Sequence, residues 1–330
     1  MPRWRPAHSV CGAESGRRLD SVAVMRIGLS GSAATVDRLV AQAERAEADG
    51  FSSLWYASAV ANDPLVAMAF AGRATSSIEL GTSVLQTYTC HPVLQAQRVL
   101  AASHGMGRAG FTLGLGPSHL PAIEGAYGLS YDHPGRHTEE YLEIVTALLR
   151  GEAVNHEGEE FTVHVPGRNQ PIDPVVPVLV SALAPRMLRA AGELTDGTIL
   201  WMGNARSVET HVSPKLRAAA KDAGRPEPRI VAGLPVAVHD DVDEARQTAA
   251  TSFAGYGDLP NYRRILDIGE AEGPGDAAIV GDEAAVEAQV QALFAAGATD
   301  VWAAIFPAGA DHKASRARTR ELLKDLANRS

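Results

Sequence analysis

Four short stretches of this 330-residue chain concentrate the residue types that could hold a ligand or move a proton. The densest runs Gly81-Thr82-Ser83-Val84-Leu85-Gln86-Thr87-Tyr88-Thr89-Cys90-His91-Pro92, where hydroxyls, an amide, a phenol and an imidazole precede a proline. Proline suits a first helical turn, where its missing N–H costs nothing. His91 therefore reads either as a helix-entry cap or, with Tyr88, as part of a wall for a planar cofactor. In Leu113-Gly114-Leu115-Gly116-Pro117-Ser118-His119, two glycines permit close backbone approach just before a hydroxyl and an imidazole. Ser181-Ala182-Leu183-Ala184-Pro185-Arg186 leads straight into a helix pattern. The unpaired N–H groups and positive dipole end of such a helix favour a phosphate, with Ser181 or Arg186 assisting, although Ser181 also reads as a plain cap. The fourth stretch, Tyr131 to Tyr141, holds His133, His137 and Glu140, but Pro134 separates the two histidines and no H-E-x-x-H spacing occurs. No metal site is expected from it. No G-x-S-x-G elbow supports a serine hydrolase.

The first three stretches each follow a short β-rich run, and such runs alternate with helical patterns along the chain. Strands are expected at Arg26–Ser30, Ser53–Tyr56, Ile78–Val84, Gly110–Gly114, Pro177–Ser181, Gly197–Trp201, Arg229–Val238 and Asp300–Phe306. Between the first two, Val36, Leu39, Val40, Ala43 and Ala46 recur at helical spacing, and Gly50 stands where that helix should stop. Further helices are expected near Pro64–Thr75, Pro92–His104, Arg136–Arg150, Pro185–Leu194, Val208–Ala223, Asp243–Phe253, Ala284–Ala296 and Ala314–Ala327. The alternation gives an α/β protein with a parallel sheet. No strand opens a G-x-G-x-x-G turn, and Gly114-x-Gly116 alone is too short a signal, so a closed (β/α)8 TIM barrel is favoured over a Rossmann sheet. Insertions fall after strand four (117–135), after helix four (151–176) and after strand seven (256–282). In a barrel the loops at the carboxyl ends of the strands build the active site, which is where the chemistry-bearing stretches fall.

Composition narrows the partners. Lys and Arg number 30 against 39 Asp and Glu, a net charge of −9, so no dominant basic footprint for nucleic acid is present and a small-molecule partner is expected. Two cysteines, Cys11 and Cys90, make no disulfide framework and fit the reducing cytoplasm. No apolar run approaches the ~20 residues that span a bilayer. Residues 1–24 mix Arg3, Arg5, Arg17 and Arg18 with Gly, Ser and Pro and are read as a poorly ordered extension, with Met25 an alternative start. Residues 25–330 then form a single barrel domain.

Gly50-Phe51-Ser52-Ser53-Leu54-Trp55, the stretch Gly81 to Pro92, Thr112 to Gly116, and Ala182 through Ala191-Gly192-Glu193-Leu194-Thr195-Asp196-Gly197 carry a resemblance that runs from Met25 to the last helix. The chain resembles the luciferase-like monooxygenase superfamily, in particular its coenzyme F420-dependent branch of actinobacterial type. The resemblance implies a non-prolyl cis peptide at Ser83–Val84, forming a bulge behind a deazaflavin ring. It also implies a cofactor site built from Ser83, Val84, Leu85, Gln86, Gly114, Gly116, Ser118, Ser181, Ala182, Leu183, Ala184 and Arg186. Many relatives carry Asp-His just after the second strand, where this chain has Ser58 and Ala59. Any proton transfer then falls to Tyr56, Tyr88, His91 or His119, the nearest candidates by loop position. The implied activity is hydride transfer between the deazaflavin C5 and a C=C, C=N or C=O bond of a small organic substrate. The alternatives are an FMN-dependent monooxygenase and a non-catalytic flavin-binding relative, and a homodimer is the expected assembly.

Overall fold

In the computed structural model, which describes residues 25–58, 63–168 and 172–329, eight parallel strands close into a barrel. They are β1 (Arg26–Gly31), β2 (Ser53–Tyr56), β3 (Glu79–Thr82), β4 (Phe111–Gly116), β5 (Val178–Val180), β6 (Gly197–Trp201), β7 (Arg229–Val238) and β8 (Asp300–Ile305). Each pairs with the next, and β8 returns to β1 with Asp300 opposite Arg26. Around them stand α1 (Val36–Ala48), α2 (Pro64–Ala74), α3 (Pro92–Met106), α4 (Pro134–Leu149), α5 (Pro185–Leu194), α6 (Ser213–Asp222), α7 (Glu283–Ala295) and α8 (His312–Ala327). This is the expected (β/α)8 barrel.

Alternation along the strands sorts the core into two layers. Ile27, Leu29, Leu54, Leu80, Leu113, Val180 and Leu200 pack outward against the helices. Trp55, Leu179, Ile199, Val231 and Trp302 form a separate cluster that fills the barrel centre. The two indoles fit because glycines face them. A Cβ on Gly81 would lie 2.3 Å from the Trp55 ring, and one on Gly233 2.0 Å from the Trp302 ring. Each aromatic side chain of this kind buries about 150–250 Å², so the barrel centre is packed solid.

Below the indoles, the first residues of four strands meet as ions. Arg26 bonds Asp300 at 2.7 Å and Glu79 at 2.5 Å, while Arg229 bonds Glu79 at 2.9 Å and Asp300 at 2.7 Å. Thr112 donates to Glu79 at 2.5 Å and Thr299 to Asp300 at 2.6 Å. Asp300 is 1% exposed. Burial alone would raise its pKa, yet the charges of Arg229 and Arg26 and the bonds from Arg229 and Thr299 hold it below its ordinary value.

The chain departs from the expected elements in several places. The third strand is split into Glu79–Thr82 and Leu85–Gln86. The expected helix Val208–Ala223 is a short turn, Ala205–Ser207, then a π-helical turn, Val208–Val212, then α6. Pro214 stands in the first turn of that last segment and has no N–H for an i→i−4 bond, so the hydrogen-bond register changes just before it. The insertion at 151–176 contains an antiparallel hairpin, Val154–Glu157 with Thr162–Val165. Residues 1–24, with Cys11, and Ala59 lie outside the described residues. Among the described residues no helix is long and apolar enough to cross a membrane.

Candidate active site

The split in the third strand builds the mouth of the barrel. β3 faces β4 at Leu80–Phe111 and Gly81–Thr112, and the pairing resumes at Leu85–Leu115 and Gln86–Gly116. Gly81 to Leu85 advances four residues while Thr112 to Leu115 advances three, so one extra residue bulges at Ser83–Val84. The Ser83–Val84 peptide is cis, the isomer that the resemblance implies. Both glycines of β4 are needed opposite it. A Cβ on Gly114 would sit 1.9 Å from the Thr82 carbonyl oxygen, and one on Gly116 would sit 2.8 Å from Val84 and 3.2 Å from Ser181. The Thr82 hydroxyl replaces the lost ladder bonds, donating to the Gly114 carbonyl at 2.7 Å and accepting from its N–H at 2.8 Å. Ser83 Oγ and Gln86 Oε1 are buried and have no partner among the described residues.

Beside the bulge lies a small cleft of about 80 Å³. Val84 closes one side, Gly116 to His119 a second, Ser181, Leu183, Ala184 and Met187 a third, and Asn261 with Tyr262 the last. Asn261 and Tyr262 stand on a helix, Pro260–Ile268, in the late insertion. α5 begins at Ala184 with no side-chain cap, so no side chain of its cap residue occupies its first N–H groups. His211, on the π-helical turn, hydrogen-bonds the Leu183 carbonyl at 2.9 Å and holds the loop that enters α5. Ser118 has φ 65°, an uncommon conformation for a residue with a Cβ. Two bonds secure it: its carbonyl accepts the Tyr131 hydroxyl at 2.7 Å and its Oγ accepts from Gln86 Nε2 at 3.2 Å.

The His119 ring lies 5.2 Å from the Tyr262 ring, and burial holds its pKa below the ordinary value. Burial likewise raises the Tyr262 hydroxyl and pushes Tyr131 up to about 12. At neutral pH the imidazole is therefore uncharged and both phenols keep their protons. The cleft offers a helix start, hydroxyls and a neutral imidazole, and among the described residues its lining includes no charged side chain. Such a set can orient a small anionic group through dipoles and hold a proton beside it.

The structure brings together Val84, Gly116, Ser118, His119, Ser181, Leu183 and Ala184, with Ser83, Gln86 and Gly114 forming the bulge behind them. Other expected site residues stand elsewhere. Tyr56 turns outward into the barrel–helix core, 1% exposed, and donates its hydroxyl to the Leu39 carbonyl at 3.0 Å. Leu85 and Ala182 are buried in the same outer core. Tyr88 stacks on His137 with centroids 3.8 Å apart and donates to the Asp132 carbonyl at 2.8 Å. His91 is the cap of α3, its Nδ1 accepting the Val93 N–H at 3.3 Å. Arg186 is held by Glu139 of α4 at 2.9 and 2.5 Å, outside the cleft lining. Glu140 accepts the N–H groups of Glu159, Glu160 and Phe161, each at 3.0 Å, and so fastens the hairpin. Asn261, Tyr262 and Met187 were not anticipated. The one sequence signal for Asn261 and Tyr262 is the long insertion after the seventh strand, which a barrel places at the catalytic face, whereas Met187 stands in the first turn of α5.

Set beside known proteins, residues 18–326 match the family described as luciferase-like monooxygenase. The chain belongs to that family. A 5,10-methylenetetrahydromethanopterin reductase of Methanolobus tindarius is 28% identical to it over 249 residues, covering 73% of this chain and 74% of the relative. An F420-dependent secondary alcohol dehydrogenase, solved with an F420-acetone adduct, superposes with TM-score 0.74 at 18% identity, covering 93% of this chain and 99% of that one. The oxygenating constituent of 3,6-diketocamphane monooxygenase of Pseudomonas putida, solved with FMN, gives TM-score 0.69 at 17% identity, covering 92% and 97%. At such identities these two structures show the fold that the chain shares.

Proposed function

We propose that this chain is a coenzyme F420-dependent oxidoreductase acting on a small organic substrate. The observation that carries the reading is the juxtaposition of the one-residue bulge at Ser83–Val84 with the uncapped start of α5 across a shared cleft. The cleft is far smaller than the ~300–1,000 Å³ of a whole ligand site. It fits the phosphate end of a cofactor whose ring lies over the bulge at the mouth. The orphaned Ser83 Oγ and Gln86 Oε1 are acceptors that a ring donor would satisfy. Ser181 and the N–H groups at the start of α5 would hold the phosphate, Val84 would support the back of the ring, and His119 would hold a proton beside it. Bound there, the deazaflavin supplies hydride chemistry at C5. The structural likeness to an F420-dependent dehydrogenase and the sequence likeness to a reductase support this assignment.

The likeness to an FMN-containing monooxygenase supports a second reading, in which the same mouth takes FMN and oxygen is consumed. Titration of the purified chain with F420 and with FMN, followed by absorbance and by an oxygen electrode, separates them. Tighter F420 binding without oxygen uptake is expected. Equal or tighter FMN binding with uptake would replace the first reading by the second.

A further inference from the structure

Over β8, β1 and β2, and reaching the carboxyl ends of β1 and β8 at Ser30 and Ile305, α1 and α8 flank a second and larger cavity, of about 560 Å³. Its floor is apolar, made by Leu29, Leu54, Ala303 and Ile305 of β1, β2 and β8. Its walls carry Arg45 of α1 and Arg316 and Arg320 of α8, and among the described residues no carboxylate stands in the lining. We infer that this cavity is a binding site for a small oxyanion, carboxylate or phosphate, carried on an apolar body.

Charge is the first argument. In a chain of net charge −9, three guanidinium groups around one cavity, of which Arg320 alone is paired with a carboxylate among the described residues, leave a local excess of positive charge. Arg320 is bonded by Asp49 at 2.7 Å and lies over the Phe51 ring at 5.2 Å, which fixes its direction. Arg45 and Arg316 have no ion-pair partner among the described residues. A guanidinium fork matches the two oxygens of a carboxylate or phosphate. Size is the second argument, since the volume falls within the range of small-molecule sites.

The third argument is that the cavity is held open. Gln42 of α1 clamps the main chain of the loop after β1: its Oε1 accepts the Ser32 N–H at 3.1 Å and its Nε2 donates to the Ser32 carbonyl at 2.8 Å. The cavity shares no lining residue with the cleft, so this site stands independently of the cofactor reading. Residues 1–24 carry four arginines against Glu14 and Asp20, so charge gives them no preference for this cavity.

Calorimetric titration of the full chain with octanoate, phenyl phosphate, inorganic phosphate and octyltrimethylammonium tests the site. Octanoate or phenyl phosphate should bind at one site, whichever does naming the headgroup, and hydrogen exchange should locate protection at α1 and α8. Binding should weaken at least about tenfold in Arg45→Leu/Arg316→Leu and in the milder Arg316→Leu alone. Arg246→Leu, on the helix Val242–Ser252, should leave it unchanged. The inference is overturned if neither amphipathic anion binds, if the cation or inorganic phosphate binds as tightly, if the arginine variants bind like the parent, or if protection lies elsewhere.

Discussion

The two ends of the barrel are lined by the same alternation of inward-facing residues and differ in how their polar atoms are satisfied. At the amino end, Arg26, Glu79, Arg229 and Asp300 pair with one another and Thr112 and Thr299 fill the remaining acceptor positions. At the carboxyl end, Ser83 Oγ and Gln86 Oε1 are buried without partners among the described residues, beside an uncapped helix. A closed network of charges leaves nothing to offer a ligand. Unmet donors and acceptors cost stability and are repaid only when something binds. The contrast teaches that completeness of pairing, more than polarity, separates the structural end from the end proposed to hold the site.

Breaking the amino end should have the largest effect. Asp300→Ala leaves Arg229 and Arg26 with Glu79 alone, and loss of one partner of a buried ionic cluster costs about 3–5 kcal/mol. Thermal melting should show Tm lowered by roughly 10 °C at pH 7, with binding of the cofactor unchanged at temperatures where the fold persists. Because the folded pKa of Asp300 is depressed, its contribution is present above the unfolded value of ~3.9 and lost as pH falls through the lower folded value. The acid decline of Tm should accordingly be shallower in the variant than in the parent. Equal acid slopes would show that the carboxylate does not anchor the network.

At the other end, the proposal makes binding the sensitive quantity. Gly116→Val drives side-chain atoms into Val84 and Ser181, an overpacking worth about 1–3 kcal/mol. A fluorescence titration with F420 should give a Kd raised roughly tenfold or more; an unchanged Kd would remove the bulge from the cofactor site. His119→Ala should lower kcat/KM by roughly a hundredfold, at the low end of acid–base contributions, with Tm nearly unchanged. Since burial depresses the His119 pKa, the neutral form persists below pH 6.5. The acid limb of the rate profile should therefore fall below that value and vanish in the variant. Tyr56→Phe is the mildest test. It removes one hydrogen bond to Leu39, about 1 kcal/mol of stability, and a fall in turnover with this variant would return Tyr56 to the site.

Much of the barrel could be read from residue order. β2, β6 and β7 fall at their expected bounds because each is a compact apolar run ended by turn residues or a helix pattern. Residue pattern alone read the third strand as continuous, since the bulge depends on Gly114 and Gly116 of a neighbouring strand 30 residues away in register, and only the family resemblance pointed to Ser83–Val84. The hairpin at Val154–Val165 did carry a signal, alternating Val163 and Val165 beyond a Gly158 turn, but too briefly to stand out from a loop. Among candidate site residues, position after a strand brought His119 and Ser181 to the lining of one cleft. It misplaced Tyr56 because a strand's last residue faces inward or outward by a single step of register. Arg186 was misjudged for another reason: its partner, Glu139, lies on a different helix, 47 residues earlier.

The facing of Gly81 with Trp55 and Gly233 with Trp302 binds those positions into shared inheritance. An alanine at Gly233 collides with the indole, and a smaller ring at Trp302 leaves a void, so each change is harmful alone. A lineage leaving this arrangement must alter both members together, or pass through a less stable ancestor. Among descendants of a common barrel, the two sites of each pair should accordingly vary in concert, although 69 residues separate Gly233 from Trp302 in the chain.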